Sequence, residues 1–255
     1  MDVMKGLIVK DWKLSFKAMW QNLSVLFIVW LISIGLAMYY NDPLIVTGIG
    51  GILLSAHIFY IGVDIAISLH KETKSMQWLH NPNSSLTLLS SKLFVSFITF
   101  LFSLLITGGL LLLSTSLLET PIWKQSEELW EIGVLFLAIV FVSLYLGTWL
   151  MFIWTMIKCV SIKGAIGSTI QALIGLLGLL IFYLHQLFFK STVYGKLNEL
   201  GKLSFPTFEA TFENEAVSFG MQMEDTSLGI IAFYALISIG LLLLSAWCME
   251  KKMEM

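Results

Sequence analysis

The sequence predicts an all-α, polytopic membrane protein with six transmembrane helices, an N-terminal amphipathic interfacial helix and both termini in the cytoplasm. Three observations carry this expectation. First, 57% of the 255 residues are hydrophobic and only 13% are charged, with a mean hydropathy of +0.85. Soluble domains run near 45–50% apolar and about 25% charged. Second, six apolar stretches reach the length of about 20 residues that a helix needs to cross a hydrocarbon core of about 30 Å. Third, the lysines alternate in density from one connection to the next, which sets orientation.

The same composition excludes several classes. So few charges could not cover the surface of a water-soluble enzyme of this length. A disordered chain would be far more polar. The chain has no Arg, and its 15 Lys are scattered, so no basic stripe exists to track nucleic-acid phosphates. The two cysteines, Cys159 and Cys248, cannot form a disulfide framework. Each falls at the cytoplasmic end of an expected span and reads as a free, buried thiol.

Residues 1–22 come first. On a helical projection Lys10, Lys13 and Lys17 share one face, and Val3, Met4, Leu7, Ile8 and Leu14 share the other. Such a helix lies in the headgroup layer with its apolar side inward. Asp11 falls inside the apolar arc. A plain cluster of orienting lysines is the simpler alternative. The expected transmembrane domain occupies 23–255. Its spans are Leu23–Tyr39, Leu44–Ile67, Leu93–Leu118, Ile132–Ile157, Ala165–Phe189 and Leu228–Trp247. The first is longer than the 7–15 residues of a signal-peptide core and no small-residue cleavage site follows it, so it is read as retained. Asn41-Asp42-Pro43 is a tight-turn signal, and the second span returns as a hairpin.

With the N-terminus inside, the inner segments hold eleven of the fifteen lysines and the outer ones four. The acids run the other way. The outer segments have a net charge of −7 and the inner ones +6, with Asp64 inside a span. Glycines at Gly48, Gly50, Gly51, Gly108, Gly109, Gly164, Gly167, Gly175 and Gly178 let helix backbones approach, within one chain or between two copies.

The connection at 68–91 carries the most information. Its first part has helix-forming composition, Pro82 ends it, and Ser84 or Ser85 can cap the next helix. On the positive side this reads as an element held in the cytoplasm for a partner; a solvated loop is the alternative. Glu72, Leu79, Pro82, Ser84-Ser85 and Lys92 together resemble a pattern in permease subunits of ABC-2 type ABC transporters: an acidic residue, a short helix, L-x-x-P-x-S and a Lys. Here the motif reads Leu79-His80-Asn81-Pro82-Asn83-Ser84, and Thr73-Lys74-Ser75 stands where many members have Gly. Within that family the chain looks most like the permease of bacterial phenol-soluble modulin exporters, and next like lantibiotic-immunity permeases.

The resemblance implies a subunit in the bacterial cell membrane, surrounded by lipid and paired with a second permease in a homodimer. It would be driven by a cytoplasmic ABC ATPase that binds ATP and Mg. The cargo would be an amphipathic or hydrophobic peptide. Glu72, Lys74, Met76, Trp78, Leu79 and Pro82 would form the segment that couples to the ATPase, with Met76 and Trp78 as apolar anchors and Glu72 and Lys74 as rim charges. This chain itself has no P-loop and no cofactor or metal motif, and is not read as an enzyme.

The outer segment 190–227 contains Phe205, Phe208, Phe212 and Phe219 among its acids and reads as short helices dipping into the outer interface. Inside the spans, His57 and Asp64 share a helix face about 10 Å apart, too far to hydrogen-bond. Asp64, near the inner end, is expected to snorkel or pair with a nearby Lys, and His57 to hydrogen-bond between helices. Two rival classes remain. One is an intramembrane enzyme using His57, His185 and Asp64. The other is a proton-coupled secondary transporter working through Asp64.

Overall fold

The computed structural model describes residues 2–75, 83–117, 126–160, 183–213 and 216–253, with Leu176 and Leu180. Its elements are α1 (Asp2–Tyr40), α2 (Leu44–Ala56), a 3-10 turn (His57–Phe59), α3 (Tyr60–Ser75), α4 (Ser85–Leu117), α5 (Ser126–Val160), α6 (Thr192–Asn198), strands β1 (Lys202–Glu213) and β2 (Ala216–Ser227), and α7 (Leu228–Met253). Among the described residues five helices are long and apolar enough to cross a membrane: Val3–Tyr40, Leu44–Glu72, Ser85–Ser114, Gly133–Lys158 and Leu228–Lys251. The chain therefore has the build of a multi-pass helical membrane protein. The sixth expected span, Ala165–Phe189, lies mostly outside the described residues, where only a helical stretch at 183–189 borders α6.

The first helix departs from expectation. It runs without a break from Asp2 to Tyr40, so nothing in the backbone divides it at residue 22. A buried stripe of Leu7, Asp11, Ser15, Met19, Leu23 and Leu26 recurs every three or four residues and passes straight through that point. The N-terminal half thus packs on the bundle with the same face as the span that follows. Lys13 and Lys17 are exposed, as the amphipathic reading requires, whereas Lys10 turns toward α3. Asn41, in the left-handed region at φ 54°, ends the helix, and the Asp42 N–H donates to the Ala37 carbonyl at 3.0 Å. The Asp42 carboxylate accepts from the Leu44 N–H at 2.9 Å and starts α2.

Packing follows a simple plan. α1 lies on α4, α3 on α5, and α5 on α7. The main core joins Ile61, Ile65, Phe100, Leu104, Ile139 and Met151 from α3, α4 and α5. Gly62 and Gly147 bring α3 and α5 together. A Cβ on Gly147 would lie 2.6 Å from Ile61 Cγ2, and one on Gly62 would run into Leu150 Cδ1. Gly50 and Gly108 likewise receive Leu111 and Phe136 of the same chain, while Gly51 and Gly109 meet nothing. Gly147→Val drives a branched side chain into Ile61. It is expected to cost about 1–3 kcal/mol, read as a lower thermal midpoint in detergent.

Exposed aromatics mark both ends of the apolar zone. Trp20 and Tyr40, exposed by 53% and 65%, are about 30 Å apart along α1. On α7, Trp247 is exposed and Lys251 Nζ sits 4.7 Å from its ring centroid. Tryptophan and tyrosine prefer the levels where hydrocarbon meets headgroups.

The segment after α6 is not helical throughout. β1 and β2 form an antiparallel hairpin in unbroken register from Lys202↔Ser227 to Glu213↔Ala216, about 40 Å long at strand rise. This corrects the expectation of short helices over 190–227, of which α6 is one. The spacing Phe205, Phe208, Phe212 imitates a helical face. The strand signal is in β2, where Val217, Phe219, Met221 and Met223 alternate with Ser218, Gly220, Gln222 and Glu224. Gly201, at φ +67°, turns the chain from α6 into β1. Ser227 closes the arm by capping α7, its Oγ accepting from the Ile230 N–H at 3.1 Å.

Candidate functional site

Four charged side chains meet between α1, α3 and α4 at the Lys-rich edge of the apolar zone. Lys92 Nζ, on the first turns of α4, lies 3.0 Å from Asp11 Oδ1 and 2.9 Å from Glu72 Oε1. It also donates to Ser68 Oγ at 3.2 Å, which uses all three of its donors. Lys10 donates to Glu72 Oε1 at 2.5 Å, and Ser91 Oγ donates to Asp11 Oδ2 at 2.6 Å. Lys92 and Asp11 are each 2% exposed and Glu72 is buried, whereas Lys10 is partly open to solvent. The two lysines balance the two acids. Buried ions cost several kcal/mol each in lost hydration, and only this dense pairing offsets it.

From this quartet a polar seam runs up α4. Lys92, Ser96, Thr99, Ser103, Thr107 and Ser114 are all buried and fall at helical spacing. They cover about 33 Å of axis, more than a hydrocarbon core. Ser96 Oγ donates to Asp64 Oδ2 at 2.6 Å, and Ser15 of α1 reaches the same oxygen at 3.5 Å. Farther up, His57 Nδ1 donates to the Leu53 carbonyl at 2.7 Å, and its Nε2 lies 3.0 Å from Ser103 Oγ. A neutral ring therefore carries its proton on Nδ1 and accepts from Ser103. At the hairpin end the Trp30 indole N–H donates to Ser114 Oγ at 2.6 Å. The seam pins α1 and the α2–α3 span to α4 where lipid supplies little drive for helices to associate.

The 3-10 turn belongs to this seam. It tightens the second span at His57–Phe59, and Ser143 of α5 donates to the His57 carbonyl at 3.1 Å. His57 is thus the interhelical hydrogen-bonder the sequence suggested. Asp64 differs from expectation: among the described residues it has no ion pair and is held by two hydroxyls. His185 pairs instead with the Tyr234 hydroxyl of α7 at 3.0 Å. The structure therefore does not bring His57, His185 and Asp64 together. Among the described residues no group of three His, Cys, Asp or Glu side chains is placed to hold a metal ion.

Of the inner connection, Glu72 is described in full and lies inside the chain between Lys10 and Lys92. Lys74 falls on the last helical turn of α3, and Met76, Trp78, Leu79 and Pro82 lie outside the described residues. Ser84, not Ser85, caps α4, its Oγ accepting from the Thr87 N–H at 3.3 Å. Asp11 and the seam were missed from sequence. The seam had a signal, since Lys92, Ser96, Thr99, Ser103 and Thr107 recur every three or four residues within an apolar run. Asp11 had a weaker one, as the acid that interrupts the apolar arc of its helix.

No family model matches the chain, and no solved structure matches it. A stretch of 93 residues, 36% of the chain, is 38% identical to the uncharacterized protein YhcE of Bacillus subtilis (strain 168). The match likewise covers 36% of that protein, about a third of its length.

Proposed function

We propose that the chain is the transmembrane permease subunit of an ATP-driven ABC exporter in a bacterial cell membrane, energised by a separate ATPase. In this reading six spans cross the bilayer with both termini and the 68–91 connection in the cytoplasm. A second copy of the permease completes the pathway, and amphipathic or hydrophobic peptides are the cargo. A lantibiotic-immunity permease is the same machine with a different peptide.

The observation that carries the reading is the Glu72–Lys92 pair. These two residues close the resemblance pattern at its two ends, and they meet inside the bundle at 2.9 Å. The connection between them is thereby clamped at both roots. A push on it from a cytoplasmic partner would reach α1 through Asp11 and Lys10, and α4 through Lys92. Buried, fully paired polar contacts suit such transmission because they hold one arrangement or another, with little between. A second reading draws on the seam itself. A column of hydroxyls that includes Asp64 and His57 would also suit a carrier driven by protons.

Orientation is testable with single cysteines placed in a chain freed of Cys159 and Cys248. In intact cells Ala210→Cys is expected to react with a membrane-impermeant maleimide, and Ser75→Cys only after permeabilisation. The reverse pattern would put the connection out of reach of ATP and end the reading.

A further inference from the structure

Because α1 rests on α2 and α4 while α3 rests mainly on α5, α1 and α3 diverge and leave a cleft of about 290 Å³. Ala18, Asn22 and Leu26 line it from α1, and His57, Tyr60 and Asp64 from the facing span. Its walls are otherwise apolar. Phe59, Val63 and Ile67 at its rim are exposed by 59%, 51% and 42%, so it opens sideways, toward the lipid.

Asp64 gives the cleft its chemistry. Both hydroxyls that hold this carboxylate, Ser15 and Ser96, reach Oδ2, so Oδ1 accepts no hydrogen bond among the described residues. Lys71 and Lys92 act on Asp64 only through space, and Lys92 is already engaged by Asp11 and Glu72. By helix rise, Asp64 is about 30 Å from the start of α2, at the Lys-rich edge of the hydrocarbon zone. From Asp64 the wall runs about 16 Å deeper, to Leu53. A polar end with an anion, continued by a largely apolar trough into the bilayer, is complementary to an amphiphile with a cationic head.

The geometry points to a binding site for the primary ammonium of an amphiphile, its charge on Asp64 and its apolar part along Leu26, Val63 and Leu53. An ammonium taken from headgroup level loses hydration, and a carboxylate at contact distance replaces it. A neutral head forfeits that contact, and an anionic one is repelled. The site stands apart from the exporter reading, since binding to it needs no ATPase and no transport.

The test is saturation binding of radiolabelled dodecylammonium and dodecanol to the full chain in phosphatidylcholine nanodiscs, with empty nanodiscs subtracted. The wild type is expected to bind dodecylammonium saturably and about tenfold more tightly than dodecanol, the size of one hydrogen bond to a charged group. Asp64→Asn should reduce that preference to less than about twofold, with dodecanol binding unchanged as the control for folding. Val63→Trp, which fills the trough, should abolish saturable binding of both. Displacement by phosphatidylethanolamine would identify a lipid amine as the natural head. Displacement by a Lys-bearing amphipathic peptide, but not by its acetyl-lysine form, would identify a peptide amine. No saturable component, a preference that survives Asp64→Asn, or displacement by neither amine would overturn the site.

Discussion

Lys92→Met is expected to be the most damaging single change in the protein. It leaves the buried acids Asp11 and Glu72 with one lysine between them, since Lys10 stays on Glu72 from the solvent side and Asp11 loses its close cation. Breaking a buried pair in this way costs about 3–5 kcal/mol, a large part of the stability of most domains. The variant should accumulate poorly and aggregate early when heated in detergent. Removing the acids as well, in Lys92→Met with Asp11→Asn and Glu72→Gln, should recover at least half of the loss, because neutral groups are cheap to bury once the charge is gone. If Lys92→Met matched the wild type in thermal midpoint, the quartet would not be the structural root of the inner connection.

The quartet also marks where sequence reasoning stops. Local features were legible. Asn41-Asp42-Pro43 turned the chain as expected, Ser84 capped α4, and each described span fell where its apolar run lay. These are properties of neighbouring residues and need no knowledge of the fold. Asp11 and Lys92 are 81 positions apart, and only the packing of α1 on α4 makes them partners. Seen alone, Asp11 blurs an amphipathic pattern; seen against Lys92, it is the reason the N-terminal half of α1 joins the bundle. The hairpin failed for a different reason. The spacing of Phe205, Phe208 and Phe212 fits a helix, and two-residue alternation in β2 competes with it. A two-stranded arm has no hydrophobic core of its own to enforce a clean pattern.

The second large effect is expected from Trp78→Ala combined with Leu79→Ala. If the inner connection docks on an ATPase, Trp78 is one of its apolar anchors and Leu79 lies beside it in the same segment, and losing both typically costs several kcal/mol of binding. The chain should insert and stay folded, because the Glu72–Lys92 clamp at the root of the segment is untouched. The ATPase should be lost on purification, or remain bound with hydrolysis no longer tied to cargo. A tryptophan that only anchors the chain at the membrane interface would instead leave the complex intact and coupled. A normal yield of ATPase with cargo-dependent hydrolysis would reject this segment as the coupling element.

The second effect presupposes that the chain is a permease driven from outside itself, and one measurement addresses that directly. Proteoliposomes are loaded with ATP and the permease, with and without its cytoplasmic ATPase, and an amphipathic peptide is followed across the bilayer. Movement that requires hydrolysable ATP and the ATPase, and that ignores an imposed proton gradient, is the predicted result. Movement by the permease alone under a proton gradient, abolished by Asp64→Asn and indifferent to ATP, would contradict it and make the polar seam of α4 the path of a proton-coupled carrier.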